Sequence, residues 1–456
     1  MTKQEAVIKY IEDNYLQFRR LRHDIVSDKL QIRMEADLEG STTLGASVQR
    51  SKAAVQNGSE LWREMTKQDI NSIVCHCAQE CDVNITSREV MTALQSDLIP
   101  DVHPLREYIN ALPRYTPDQP DWIDFVASQV KVRESASSGV QELRSLGVTS
   151  EQAQSATEPS EPLTSGNSAS RLWRGCFKKW FVAMVASWMK DEVVNHQVLV
   201  LIGKQGIYKT TWLEHLIPPH LRAYACKLAN SADLNKDERL RIAEFGLISL
   251  DEIDSMNNRE LNQLKSVITA TDVNERAAYA YTKERRIRLA SFCASGNRRD
   301  FLTDITGNRR WLPFEVESIQ NPFHTILPYE QMYAQAWALA NDEFFSYWFD
   351  LDEIEVLEQH NQHFRDESNE EQLLPILFDV PAEGRGEFMT TAQISERLVT
   401  YGNIKKPMTL SRLGVLMSSM GYRSVQRQIG CHRGRGWIVY QRDTDEILSM
   451  RRLLIQ

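Results

Sequence analysis

The sequence predicts an α/β core, preceded by a mostly helical region and followed by a small winged-helix module. Three observations carry that expectation. An apolar run, Val198 to Ile202, meets a glycine turn and then Lys209-Thr210-Thr211. A second apolar run, Phe245 to Leu250, ends in Asp251 and Glu252. Far downstream, Gly402 to Arg442 contains no Asp or Glu while basic residues recur through it. Apolar strands that alternate with helices fold as a parallel sheet flanked by helices. A chain of 456 residues is long enough for two or three domains.

Residues 1–132 read as the mostly helical region, with Ile70, Ile73 and Val74 at helical spacing. Cys75, His76, Cys77 and Cys81 invite a metal reading. Cys77 and Cys81 share a helix face, but no second ligand pair stands at finger-like spacing, so buried structural cysteine is the expectation. Seven cysteines without a framework spacing point to reduced thiols in a cytoplasmic setting. The opening MTKQEAV lacks the pattern of a signal peptide. Residues 133–168 lose aromatics and gain Ser, Glu, Gln, Thr and Pro, the composition of a flexible linker.

Arg171 to Lys190 restarts as an amphipathic, aromatic-rich helix, opening a core expected over residues 169–345. Its apolar stretch near Trp180 to Trp188 is too short to span a bilayer and is flanked by Lys178, Lys179 and Lys190, so no membrane role is expected.

The run after Ile202 has the layout of a phosphate-binding loop: Gly203, Lys204, Gln205, Gly206, Ile207, Tyr208, Lys209, Thr210 and Thr211. Glycines let backbone N–H groups face a β-phosphate, the Lys reaches the β- and γ-phosphates, and the Thr210 hydroxyl ligates Mg²⁺. Tyr208 stands where the usual pattern has glycine. An ordinary β-turn ahead of a helix would give the same letters. The pair Asp251-Glu252, about forty residues on, argues for the phosphate site: Asp251 to hold Mg²⁺ through water, Glu252 to polarise an attacking water. A third strand, Ile287 to Ser295, ends at Gly296-Asn297, placing Asn297 to meet a γ-phosphate or the water; Gly-Asn is also a common turn pair. Arg309 and Arg310 are candidates for a finger that stabilises transition-state charge from a neighbouring subunit; two surface loop arginines are the alternative.

In this order the motifs GKQGIYKTT (Gly203 to Thr211), LDEID (Leu250 to Asp254), ASFCASGN (Ala290 to Asn297) and TGNRRWLPF (Thr306 to Phe314) resemble the virulence-associated protein E family, superfamily 3-type helicases within the AAA+ ATPases. Ser96 to Pro113 looks like the entry segment such proteins carry. Tyr208 departs from the pattern. The resemblance implies a P-loop NTPase core, ATP and Mg²⁺ as cofactors, a homo-hexameric ring, a separate primase partner, and a place in replication of a phage, satellite or integrated element.

Net charge is −9, but the charge is segregated. Asp342 to Glu371 holds eleven carboxylates against one Arg, and residues 346–386 read as an acidic helical connector. Residues 387–456 read as the module. Thr390 and Gln393 form a capping-box pattern ahead of one helix, Leu410 to Met420 forms a second with Gly421 as its stop, and two strand-like runs bracket an Arg-Gly tip. Arg412, Arg423, Arg427, Arg433 and Arg435 are the candidate contacts to duplex DNA. A small module that only docks protein is the alternative. Between Arg276 and Arg299 lie seven basic residues and one acid. There Tyr279, Tyr281, Lys283, Arg285 and Arg286 match the place where superfamily 3 helicases carry a hairpin that grips single-stranded DNA in the pore. A solvated turn would look the same.

The expected activity is ATP-driven DNA unwinding or translocation. An ATP-switched DNA-binding regulator and a small-molecule P-loop kinase stay open.

Overall fold

The computed structural model describes residues 2–33, 62–133, 168–228, 236–275, 284–302, 308–381, 386–429 and 432–455. The expected linker lies almost wholly outside them. The chain divides into two units, residues 1–299 with 309–357, and residues 300–308 with 358–456.

The first unit opens with helices Lys3–Ile11, Lys67–Cys81 and Ser87–Leu94. Each starts with a reciprocal cap, Thr2 with Glu5, Thr66 with Asp69 and Thr86 with Glu89, which satisfies two orphan N–H groups apiece. Their apolar faces bury Val7, Ile11, Ile73, Cys77 and Val90 together with Leu21. Helices predominate here, but a four-stranded sheet lies beside them: β1 (Leu21–Asp24), β2 (Lys29–Arg33), β3 (Trp62–Glu64) and β4 (Asp101–Val102), in the order β3-β2-β1-β4. Runs this short give too few alternations for a period of two to stand out. Cys77 is buried with its thiol toward Ala6 O, as expected of a structural cysteine, whereas Cys75 is exposed.

A six-stranded sheet forms the centre of this unit. Its strands are β5 (Val130–Val132), β6 (Val198–Ile202), β7 (Ala225–Leu228) and β8 (Leu247–Leu250). Beyond a two-stranded antiparallel ladder of β9 (Asp272–Glu275) and β10 (Glu284–Ile287) come β11 (Ser291–Gly296) and β12 (Trp311–Ile319). The order is β5-β12-β6-β11-β8-β7. Every neighbouring pair is parallel except the edge pair β5–β12. All five residues of β6 are buried, which is why its sequence is an unbroken apolar run. The edge strand β5 comes from residues ahead of the linker.

Helix Ser168–Met189 packs Trp173, Phe177, Trp180, Phe181 and Trp188 into one core with Leu199, Leu201, Cys293 and Phe314 of the sheet. Burying each such side chain contributes roughly 1.5–3 kcal/mol. No indole N–H of these three tryptophans is stranded: Trp173 donates to Ala127 O, Trp180 to Phe292 O and Trp188 to Gly246 O. Among the described residues, no helix is long and apolar enough to cross a membrane.

In the second unit, helix Asn369–Leu377 leads through β13 (Phe378–Asp379) to β14 (Glu387–Thr390). Helices Thr391–Gly402 and Leu410–Ser419 follow, then β15 (Arg423–Ile429), β16 (His432–Gln441) and helix Thr444–Ile455. Strand β16 pairs antiparallel with β13, β14 and β15. Thr390 and Gln393 cap the first of the paired helices as expected. Gly421 ends the second at a φ of 83°. The core joins Ile394, Leu398, Leu413, Leu416, Met417, Trp437 and Val439 to Leu374, Leu377 and Phe378, which lie in the stretch expected as connector.

Candidate functional site

A parallel sheet gathers its functional loops at the carboxyl ends of its strands. The loop after β6 turns there. Gly206 has a φ of 85°, open to glycine without strain. Gly203 is required for a different reason: a Cβ on it would lie 2.7 Å from Val316 O. Tyr208, the departure from pattern, keeps the left-handed backbone that glycine would supply, with φ 67° and ψ 18°. For a non-glycine residue that costs roughly 1–2 kcal/mol.

Lys209 is 7% exposed, and its Nζ curls back over the loop. It donates to Gly203 O at 2.8 Å, to Lys204 O at 2.7 Å and to Asn297 Oδ1 at 3.3 Å. Burial pulls the ammonium below the usual lysine value, with Asp254 and Asp251 opposing. Beside it three oxygens converge. Thr210 Oγ1 lies 3.2 Å from Asp251 Oδ1 and 2.9 Å from Ser295 Oγ, and Ser295 Oγ donates to Asp251 Oδ1 at 2.7 Å. These hard oxygen donors, with a carboxylate among them, are the set Mg²⁺ prefers. Glu252 follows in the left-handed region at φ 52° and is exposed.

Three residues of this cluster had no role assigned from sequence. Ser295 sits one strand across from Thr210. Lys227 on β7 pairs with Asp251 Oδ2 at 2.8 Å. Asp254 accepts the backbone N–H groups of Asn297 at 3.0 Å and Arg298 at 3.1 Å, tying down the end of β11. Only Asp254 left a signal, as the third carboxylate of Asp251-Glu252-Ile253-Asp254.

The family model for the virulence-associated protein E-like domain matches residues 154–371. Those residues, a little under half of the chain, are similar to that family. The match takes in every strand of the six-stranded sheet except β5. No curated protein matches the chain significantly. Solved structures of the NrS-1 C-terminal region align over 93–95% of this chain and 98–99% of theirs, at 9–10% identity and TM-scores of 0.41–0.42. A likeness that loose assigns neither fold nor function.

Within the matched residues, Arg309 and Arg310 stand apart from the cluster. They precede Trp311, which pairs with Val198 at the start of β6, whereas the loop leaves from Ile202 at its end. Four residues of strand separate the two levels, about 13 Å. In one chain these arginines and the loop are at opposite ends of the sheet.

The basic stretch ahead of β11 is less uniform than its sequence. Tyr279, Tyr281 and Lys283 lie outside the described residues. The β9–β10 ladder that flanks them is antiparallel, the stem of a hairpin. Arg285 is exposed and donates to Asp272 Oδ2 at 2.8 Å. Arg286 is held by Asp28 at 2.7 Å. Arg288, counted in the same stretch, is 1% exposed, its guanidinium spent on the backbone carbonyls of Ile268, Ala270, Ala290 and Asn195. Burial lowers its pKa to about 9.

In the second unit the register divides the hairpin arginines. Arg423 lies opposite Ile438 and Arg427 opposite Gly434, on one face, where Arg427 lies 5.6 Å over the Phe388 ring. Arg435 lies opposite Gln426 on the other face, the one that carries Trp437 toward the helices, and donates to Ser424 Oγ at 2.7 Å. Arg433 lies opposite Gln428; its side chain is outside the description. Arg412 is exposed on helix Leu410–Ser419.

Proposed function

We propose that this chain is a P-loop ATPase that drives DNA unwinding or translocation during replication of a mobile element such as a phage or satellite. One observation carries the reading: Lys209, Thr210, Asp251, Ser295 and Asn297 converge at the carboxyl end of one parallel sheet, from the ends of β8 and β11 and from the first turn of the helix that follows the β6 loop. Separate segments brought to one point by the fold are what a triphosphate site needs.

Gly203 to Tyr208 would wrap the phosphates with backbone N–H groups, and Lys209 would exchange its two loop carbonyls for phosphate oxygens. Thr210 and Asp251 would hold Mg²⁺, which supplies neutralisation of the phosphate charge. Glu252 would accept a proton from the attacking water, and Asn297 would orient that water or the γ-phosphate. Asp254 holds Asn297 in place through its backbone. Arg309 and Arg310, remote from their own loop, suit a neighbour's site in a ring, for which a hexamer is the arrangement proposed. The paired helices and the β15–β16 hairpin of the second unit support reading it as a winged helix, which would bind duplex DNA. The β9–β10 hairpin would meet single-stranded DNA.

Tyr208 favours a second reading, in which a strained loop turns ATP over slowly and the chain works as an ATP-switched DNA-binding regulator. ATPase turnover with and without single-stranded DNA separates the two. DNA-stimulated hydrolysis that Lys209→Ala abolishes, by at least about 100-fold, supports the motor. Hydrolysis unaffected by Lys209→Ala would remove the phosphate site.

A further inference from the structure

The loop ends in a residue that a phosphate cradle does not need. Tyr208 holds a left-handed backbone, which a ring-bearing residue keeps only where the surroundings require it. Its side chain makes no cap hydrogen bond to the helix it precedes. Its ring, 38% exposed, instead meets Phe323 edge-on, with centroids 6.5 Å apart and planes at 80°. Phe323 also meets His215 edge-on at 5.5 Å and 87°. Tyr208, Thr211 and His215 recur at helical spacing and share one face. His215 is fixed on that face by a 2.7 Å hydrogen bond between its Nδ1 and Thr211 O. Phe323 is nevertheless 69% exposed. Three rings therefore stand together beside the loop, with the central one open to water.

We propose that Tyr208 and Phe323 form a stacking subsite for the purine base of the nucleotide whose phosphates lie in the loop. This rests on the phosphate-site reading above and adds where the base goes. Position supports it: the rings begin at the residue beside Lys209 and run along the face of Thr211, where a nucleoside would leave the end of a triphosphate. Chemistry supports it: an open aromatic face takes a flat heterocycle by stacking, and it does so without needing a fixed hydrogen-bond pattern. The strain at Tyr208 then has a cause, because glycine would relax the loop and delete one wall of the subsite.

The test compares a ligand with a base to one without. Full-length protein is titrated with 1,N6-ethenoadenosine triphosphate, whose base fluorescence reports stacking, and by calorimetry with inorganic tripolyphosphate. Wild type should quench the etheno base on binding. Phe323→Ala should weaken etheno-ATP about tenfold, the scale of one lost base stack, and leave tripolyphosphate affinity unchanged; Phe323→Trp should restore the etheno-ATP affinity. Truncating so exposed a side chain leaves the fold intact. The subsite is overturned if Phe323→Ala binds etheno-ATP as wild type does, or loses tripolyphosphate equally. Wild type that binds neither ligand overturns the phosphate site, and the subsite with it.

Discussion

Lys227 Nζ lies 2.8 Å from one oxygen of Asp251, while the other oxygen accepts from Ser295 at 2.7 Å and faces Thr210. Burial alone would raise the Asp251 carboxyl; the hydrogen bond from Lys227 leads the contacts that outweigh it and hold the group below the usual carboxylate value. A depressed carboxyl stays ionised as pH falls, until its own lowered pKa is reached. Replacing Lys227 with Met removes that contact and lets burial act, so Asp251 protonates at higher pH. The acid limb of the ATPase pH profile should therefore move to higher pH in Lys227→Met. An unmoved limb would detach Lys227 from the site.

Gly203 and Gly206 should differ in what they tolerate. A Cβ on Gly203 meets Val316 O at 2.7 Å, and a backbone oxygen of β12 cannot swing aside. Gly203→Ala should cost about 1–3 kcal/mol. At Gly206 nothing lies within 4 Å, and only the φ of 85° resists, so the cost should be nearer 1 kcal/mol. Thermal denaturation midpoints should fall in that order, and the reverse order would contradict the close approach of β12 to the loop.

Arg309 and Arg310 should act on a neighbour's site. A subunit with Arg309→Ala and Arg310→Ala keeps its own loop, while a Lys209→Ala subunit keeps its own arginines. Mixing two such dead preparations should recover part of the wild-type turnover. If they co-assemble by light scattering and hydrolysis stays absent, the trans role is lost.

The split of arginines across the β15–β16 hairpin ranks their contributions to DNA. Arg412 and Arg435 lie on the side of helix Leu410–Ser419; Arg423 and Arg427 lie on the back. Anisotropy titrations of duplex DNA across a salt series should show Arg412→Ala and Arg435→Ala weakening binding, each lowering the salt slope by about 1. Arg423→Ala and Arg427→Ala should stay within about twofold of wild type. The opposite ranking would place DNA on the back of the hairpin.

Glu252→Gln keeps the shape of the side chain and removes its basicity. ATP should then bind and persist, with turnover down by about 100-fold or more. Wild-type turnover in that variant would take Glu252 out of the reaction.

The sequence by itself determined the elements whose signals are local. An unbroken apolar run such as Val198 to Ile202 marks a strand buried on both faces. Two glycines, a lysine and a threonine after it mark the turn, because backbone geometry and side-chain reach are set by neighbours in the chain. The same holds for the Thr390–Gln393 cap and the paired helices behind it. What the tertiary structure decided was everything set by contacts between segments far apart in sequence. Ser295 and Lys227 reach Asp251 only because β11 and β7 flank β8, an order no local pattern encodes. Val130–Val132 completes the core sheet from the far side of the linker. Arg288, one of seven basic residues in its stretch, is a buried strut for four carbonyls. The arginines of one basic run divided between two faces, because a strand alternates its side chains while the eye reads a run as a single patch. Phe323, unremarkable in sequence, stands over the loop only because β12 returns beside β6 and carries the following turn to Tyr208.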